Sequence, residues 1–254
     1  MKTHILQETN WESVKNSLYN VAILPWGATE AHNLHLAYGT DTILAERIAA
    51  DAAEIANLSG AGAIVLPSIA YGVNSGQMEI PLCMHMNPTT QLSVLRDILY
   101  VLDTNEIRRF VIINGHGGNA FQPLIRELSL EFPDIIMSYV NWWTVAKADK
   151  YFVEPGDHAG ELETSAMMYT NPNLVAPLDE AGTGAETKFK IEGLREKWAW
   201  TPRRWIYISE DTGVGNPKKA TKEKGELFVK QCTEKIAKFI LEFSQIENEE
   251  DLYE

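Results

Sequence analysis

Cysteine is scarce in this chain of 254 residues, with only Cys83 and Cys232. Two such residues make no disulfide framework, and both read as small buried hydrophobes. Long apolar runs are missing too. None approaches the roughly 18 to 20 residues needed to cross a bilayer. The opening Met1-Lys2-Thr3-His4 lacks the apolar core of a signal peptide, so the expectation is a cytoplasmic protein with no membrane partner. Positive charge is in deficit, with 22 Lys and Arg against 35 Asp and Glu and a net charge of -13. The basic surface that phosphate backbones require is therefore absent, which argues against a nucleic-acid partner. Neither a Pro/Gly/Ser-rich linker, nor a low-complexity tract, nor a repeat divides the chain. Residues 1–254 are expected to form one domain with an acidic tail at about 247–254, where five carboxylates in eight residues read as a solvated, partly disordered end.

What is present is the composition of an ordinary globular protein, 45% hydrophobic and 22% charged. Four short apolar runs rich in β-branched residues, Val21 to Pro25, Ala63 to Pro67, Phe110 to Asn114 and Ile135 to Val140, suit strands buried on both faces of a parallel sheet. Helical spacing runs through Asp41 to Ala56, Pro88 to Leu102 (behind Asn87 as N-cap), Gln122 to Phe132 and Lys222 to Phe243. Strands and helices alternate, so the fold class is α/β with a mainly parallel central sheet. Between Thr183 and Thr212 the pattern is poor and Trp198, Trp200 and Trp205 gather. That excursion reads as a cap over the site or a subunit contact.

Ligands of open α/β sheets bind at the carboxyl ends of the strands, and three polar segments are placed for this. The first holds Glu30, His32, His35 and Asp41 just before a helix. In extended backbone Glu30 and His32 point to one side, and a carboxylate with an imidazole suits a hydrolytic Zn, Mn or Fe centre. A polar loop in which Thr40 or Asp41 caps the helix is the plainer account. His35, an odd number of residues from Glu30, is left out of the ligand set. The second segment is Asn114-Gly115-His116-Gly117-Gly118-Asn119, whose glycines let backbone and imidazole approach a ligand closely. An esterase oxyanion loop would look similar, but it needs a Gly-x-Ser-x-Gly elbow, and no serine here has that setting. The third is His158-Ala159-Gly160-Glu161-Leu162-Glu163-Thr164-Ser165, with a histidine at the start of a predicted helix. Its two acids are either dipole-stabilised surface charges or part of a site.

Taken together, the segments Gly27 to His32, Thr40-Asp41, Asn114 to Asn119 and His158 to Ser165 resemble, in order and spacing, the creatininase (creatinine amidohydrolase) family. A weaker match is the stretch Thr212 to Gly225, and the likeness spans roughly residues 10 to 245. The resemblance implies a three-layer fold, helices on both sides of the sheet, and a metal-dependent amidohydrolase. One or two divalent metals (Zn, Mn or Fe) would be held by Glu30, His32, Asp41 and His116, with Asp41 bridging. Water activated by the metal would attack an amide carbonyl, and His158 would transfer the proton to the departing nitrogen. The expected partner is a small-molecule amide, and the family's habit implies a homo-oligomer, commonly a hexamer.

The sequence departs from creatininase at two places. A metal-binding Glu two residues after the motif histidine is replaced by Gly118, and Glu161 is expected to serve instead, with Glu163 as competitor. No tryptophan stands just ahead of His158, which counts against creatinine itself. Trp142, Trp143, Gly117 and Gly118 are the expected substrate contacts. The alternative is a non-catalytic relative that binds a ligand or serves in a structural oligomer, supported only by the loss of Glu at position 118.

Overall fold

The structure, a computed structural model, describes residues 3–253. Its sheet has four strands, β1 (Val21–Trp26), β2 (Ala63–Val65), β3 (Arg109–Asn114) and β4 (Ile136–Asn141), in the order β2-β1-β3-β4, and every pair is parallel. The longer helices are α1 (Thr40–Leu58), α2 (Pro88–Thr104), α3 (Phe121–Glu131), α4 (Glu161–Thr170) and α5 (Lys222–Ser244). None among the described residues is long and apolar enough to cross a membrane.

Alternation along the strands builds the three layers. Ala22, Leu24, Trp26, Phe110 and Ile112 face Leu95 and Leu99 of α2 and Phe121 and Leu128 of α3. Val21, Ile23, Val111 and Ile113 face Leu44 and Ile48 of α1, Leu162 and Ala166 of α4, and Phe228, Ile236 and Ile240 of α5. Both faces are apolar, as a covered parallel sheet requires. Pro25 lies inside β1 without breaking it. The carbonyls of Ile23 and Pro25 both accept from the β2 side, but ladder pairing with β2 ends at Ile23–Val65, so the missing N–H of Pro25 falls where no ladder bond is due.

Several expectations shift in detail. The sheet is wholly rather than mainly parallel. Asn87 stands at the N-cap of α2 but does not cap it; its side chain instead accepts from His85 Nε2 at 2.9 Å. Cys232 is fully buried, whereas Cys83 is only partly so and is hydrogen-bonded. The acidic tail winds into an exposed 3-10 turn at Glu249–Leu252, because Asn248 and Asp251 form a capping box; Glu254 lies outside the described residues.

The α4 and α5 helices cross in close contact at Gly225, where a Cβ would meet the Ser165 carbonyl oxygen at 1.8 Å. Gly225→Ala should therefore lower stability by about 1–3 kcal/mol, the range for overpacking, measured as a shift in the denaturant midpoint at unchanged slope.

Candidate metal centre

Loops leaving the carboxyl ends of the strands meet over the N-terminus of α1, which carries Asp41 in its first turn. The approach is close, and Gly115 makes it feasible: a Cβ there would lie 2.3 Å from the Asp41 carbonyl oxygen. Glu30, His32, Asp41, His116 and His158 are all buried, each less than a tenth exposed. His116 Nδ1 lies 2.9 Å from Glu30 Oε1 and 3.1 Å from Asp41 Oδ2. His32 Nε2 lies 3.0 Å from Asp41 Oδ1, and His158 Nδ1 lies 3.7 Å from Glu30 Oε1. Each of the three imidazoles gives its other nitrogen to a backbone carbonyl: His32 Nδ1 donates to Glu30 O (3.0 Å), His116 Nε2 to Val73 O (3.2 Å) and His158 Nε2 to Ala31 O (2.8 Å). The nitrogens that remain face carboxylate oxygens, lone pair against lone pair unless a proton or a cation lies between. Asp41 Oδ2 is buried and makes no hydrogen bond. This donor set fits a divalent cation.

The electrostatics point the same way. Burial opposes a charge on His32, yet the Asp41 carboxylate outweighs it and raises the imidazole to about 10. Burial likewise opposes protonation of His116, and Glu30 and Asp41 carry it well above its ordinary value. Asp41 is held well below the usual carboxylate range despite its burial, because His32 and His116 face it. His158 moves the other way, lowered by burial and by the neighbouring His32. His32 and His116 thus hold protons against the Asp41 and Glu30 carboxylates where a cation would fit.

Of the two acids in the third segment, it is Glu163 that reaches the cluster. Ligand atoms of His32, Asp41 and Glu163 lie within 4.8 Å of one another, as do those of Glu30, Asp41 and His116, and those of Glu30, His32 and His158. Burial raises Glu163 to about 7 against the pull of His32. Its Oε2 accepts from the amide of Ala159 at 2.6 Å, and Ala159 takes a left-handed φ of 50° to present that amide. The expectation for Glu161 is corrected here. Its carboxylate accepts from the amides of Val153 (2.9 Å) and Glu154 (2.8 Å) and pairs with Lys224 at 2.5 Å, so its oxygens are committed to fastening the loop ahead of His158 and the start of α5. His35 stays apart from the cluster, bonded through Nε2 to Thr164 Oγ1 at 2.8 Å and lowered to about 4 by burial and by His32.

The cluster forms the floor of a cavity of about 590 Å³. Gly117, Gly118 and Trp143 line it; Trp142 does not, being 1% exposed in the core against Phe228, which corrects its expected role. Position 118 has no room for an acid, since a Cβ there would meet His116 Nε2 and the Val73 carbonyl oxygen, each at 2.4 Å. The excursion at residues 183–212 caps the cavity rather than standing clear of it. Trp205, in a short helix at Trp205–Ile208, packs edge-on against His158 with ring centroids 4.8 Å apart. Arg203 lies over the Trp205 ring and pairs with Asp157 at 2.7 Å. The aromatic wall missing ahead of His158 therefore comes from Trp205, about fifty residues downstream, with the exposed Trp200 at the rim. Sequence reasoning put Trp205 in a segment read as a cap or a subunit contact but not against His158, and it missed Gln77, a buried amide whose Nε2 donates to Glu30 Oε2. No motif surrounds either residue; the tryptophan cluster was the only signal for the first.

The chain is similar to known proteins in sequence and in fold. A family model described as creatininase, creatinine amidohydrolase, matches residues 7–240. A Bacteroides fragilis chain solved as a candidate creatinine amidohydrolase is 47% identical, with a TM-score of 0.93 and 100% of each chain covered. A mutant creatininase of Zn–Zn type is 25% identical, with a TM-score of 0.78 over 94% of this chain and 98% of that one. The mycofactocin precursor peptide peptidase of Mycobacterium ulcerans is 28% identical over 253 residues, 91% of this chain and 90% of that protein.

Glu161→Gln weakens charge-assisted bonds to two amides and a lysine. It should lower stability by about 1.5–3 kcal/mol while leaving cation binding in place, read by thermal unfolding beside a metal titration of the same sample.

Proposed function

The chain belongs to the creatininase family, and on that footing we propose that it is a metal-dependent amidohydrolase whose Glu30, His32, Asp41, His116 and Glu163 hold one or two divalent cations. The observation that carries this reading is the pair of overlapping donor sets, Glu30–Asp41–His116 and His32–Asp41–Glu163, which share Asp41 with one oxygen turned to each histidine. Mixed imidazole and carboxylate donors suit Zn, Mn or Fe, and zinc is the metal named for one solved relative. A bound cation would bring water towards ionisation at neutral pH and stabilise the negative charge that develops at an amide carbonyl.

The chain's own groups do the rest. His158 is kept neutral by burial, and its Nε2–H is committed to Ala31 O. Only Nδ1 is free to accept a proton, and it faces the cluster, so His158 can carry that proton to the departing nitrogen. Trp205 restricts the His158 ring and keeps bulk water from it. Trp143, Gly117 and Gly118 flank the substrate space. Glu163 supplies the acid that Gly118 lacks, which removes the ground for a non-catalytic relative. The favoured substrate is a small cyclic or linear amide. A second reading, cleavage of a short peptide, is favoured by the peptidase relative and by a cavity of about 590 Å³, which falls among drug-sized sites.

A screen of the metal-loaded protein against creatinine, formamidopyrimidines, hydantoins and short peptides tests the reaction class; no turnover of any C–N bond, together with no tightly held cation after careful purification, would sink it. His158→Ala should retain the metal and lose turnover by about a hundredfold or more, and full turnover in that variant would remove its proton-transfer role.

Cation binding should also be pH-dependent. Below their raised values His32 (about 10), His116 and Glu163 (about 7) hold protons that a cation must displace. Affinity is therefore expected to fall as pH drops through 7 and to rise towards pH 10, with proton release seen as a dependence of the calorimetric heat on buffer ionisation. Glu163→Gln should weaken binding and flatten the lower part of that profile.

A further inference from the structure

Glu30 has two carboxylate oxygens, and the structure treats them differently. Oε1 faces the cluster, 2.9 Å from His116 Nδ1 and 3.7 Å from His158 Nδ1. Oε2 is turned away and accepts from Gln77 Nε2. Gln77 is 2% exposed, and the far end of its amide is occupied as well. The Cys83 thiol donates to Gln77 Oε1 at 3.2 Å, so the NH2 end must be the one that faces Glu30. Cys83 is fixed in turn by the amide of Ala31, which donates to its sulfur at 3.2 Å. The backbone beneath Gln77 is also held. Its N–H donates to Asn74 O and its carbonyl accepts from Ile80 N, each at 2.9 Å. The turn is pressed under the capping excursion, since a Cβ at Gly76 would lie 2.0 Å from the Arg203 carbonyl oxygen. A buried amide with both ends satisfied and its backbone clamped has one orientation available to it.

We infer that Gln77 is a positioning residue for the metal centre: by occupying Glu30 Oε2 it makes Glu30 offer the cation a single oxygen, and it ties that carboxylate to the turn lying under the capping excursion. The inference rests on the reading that the cluster holds a divalent cation. A carboxylate freed from Gln77 can swing to present both oxygens or turn out of the cluster, and either change alters how the cation is held. Partners of this kind behind a ligand typically govern metal affinity by 10- to 100-fold.

The test uses the full chain, stripped of metal by a chelator and titrated with Mn2+ or Zn2+ alone. Gln77→Leu removes the donor, and Gln77→Met removes it with little change of length, so the second variant carries the test if the first does not fold. Both are expected to bind about 10- to 100-fold more weakly than the wild type and to show an altered Mn2+ electron paramagnetic resonance spectrum, over and above the lower metal-free midpoint that loss of a buried hydrogen bond brings. A merely structural role would shift the midpoint and leave the spectrum alone. A folded variant with wild-type affinity and spectrum overturns the inference and leaves the metal reading standing. A wild type that binds neither ion removes both, so the two failures are distinguishable.

Discussion

Asp41 is an ionised carboxylate buried between two imidazoles at the first turn of a helix, and much of the molecule is arranged around that burial. A charge out of water is stabilised only by partners of opposite sign and by hydrogen bonds at close range. The helix N-terminus offers part of that stabilisation, and His32 and His116 provide the rest, one at each oxygen. Both histidines in turn lean on backbone carbonyls, of Glu30 and of Val73. The loop that carries His116 must itself pass close to α1, and Gly115 there lies against Asp41 with no space for a side chain. The centre is therefore a property of loop backbone as much as of side chains.

The sheet explains why the loops can meet. All four strands are parallel, so their carboxyl ends open on one edge, and the segments that follow β1, β2, β3 and β4 each contribute: Glu30 and His32, then Gln77, then His116, then Trp143. Helix α1 closes the space from below with Asp41, and α4 delivers Glu163 from the side. The excursion at residues 183–212 closes it from above with Trp205 and Arg203.

The architecture was largely legible in the order of residues. Apolar runs such as Val111 to Ile113 are buried on both faces and announce a covered strand without any knowledge of partners, and the leucine spacing of Pro88 to Leu102 announces one buried side of a helix. The segments that meet in the cluster stood out for a different reason: glycines and histidines adjacent in sequence, as in Asn114 to Asn119, carry their chemistry within a few residues. What could not be read was the choice between Glu161 and Glu163. Two residues apart on a helix they point about 200° away from each other, so one must face the cluster and the other must face away. Which is which depends on how α4 is rotated by Leu162, Ala166 and Met167 packing into the core, and nothing local to the sequence records that rotation.

The same division holds for the pocket. Trp142 and Trp143 are neighbours of equal chemistry, yet one fills the core against Phe228 and the other lines the cavity, because the chain turns sharply where β4 ends. Trp205 and Gln77 lie far in sequence from the groups they touch, His158 and Glu30. Local periodicity and backbone chemistry are enough to specify the α/β class, the strand and helix boundaries to within a few residues, and a set of acids and imidazoles placed near the ends of strands. That Glu163 reaches the cluster, that Glu161 fastens a loop, and that a tryptophan from a patternless segment lines the cavity are settled in three dimensions, because those outcomes depend on which surfaces pack together across long stretches of chain.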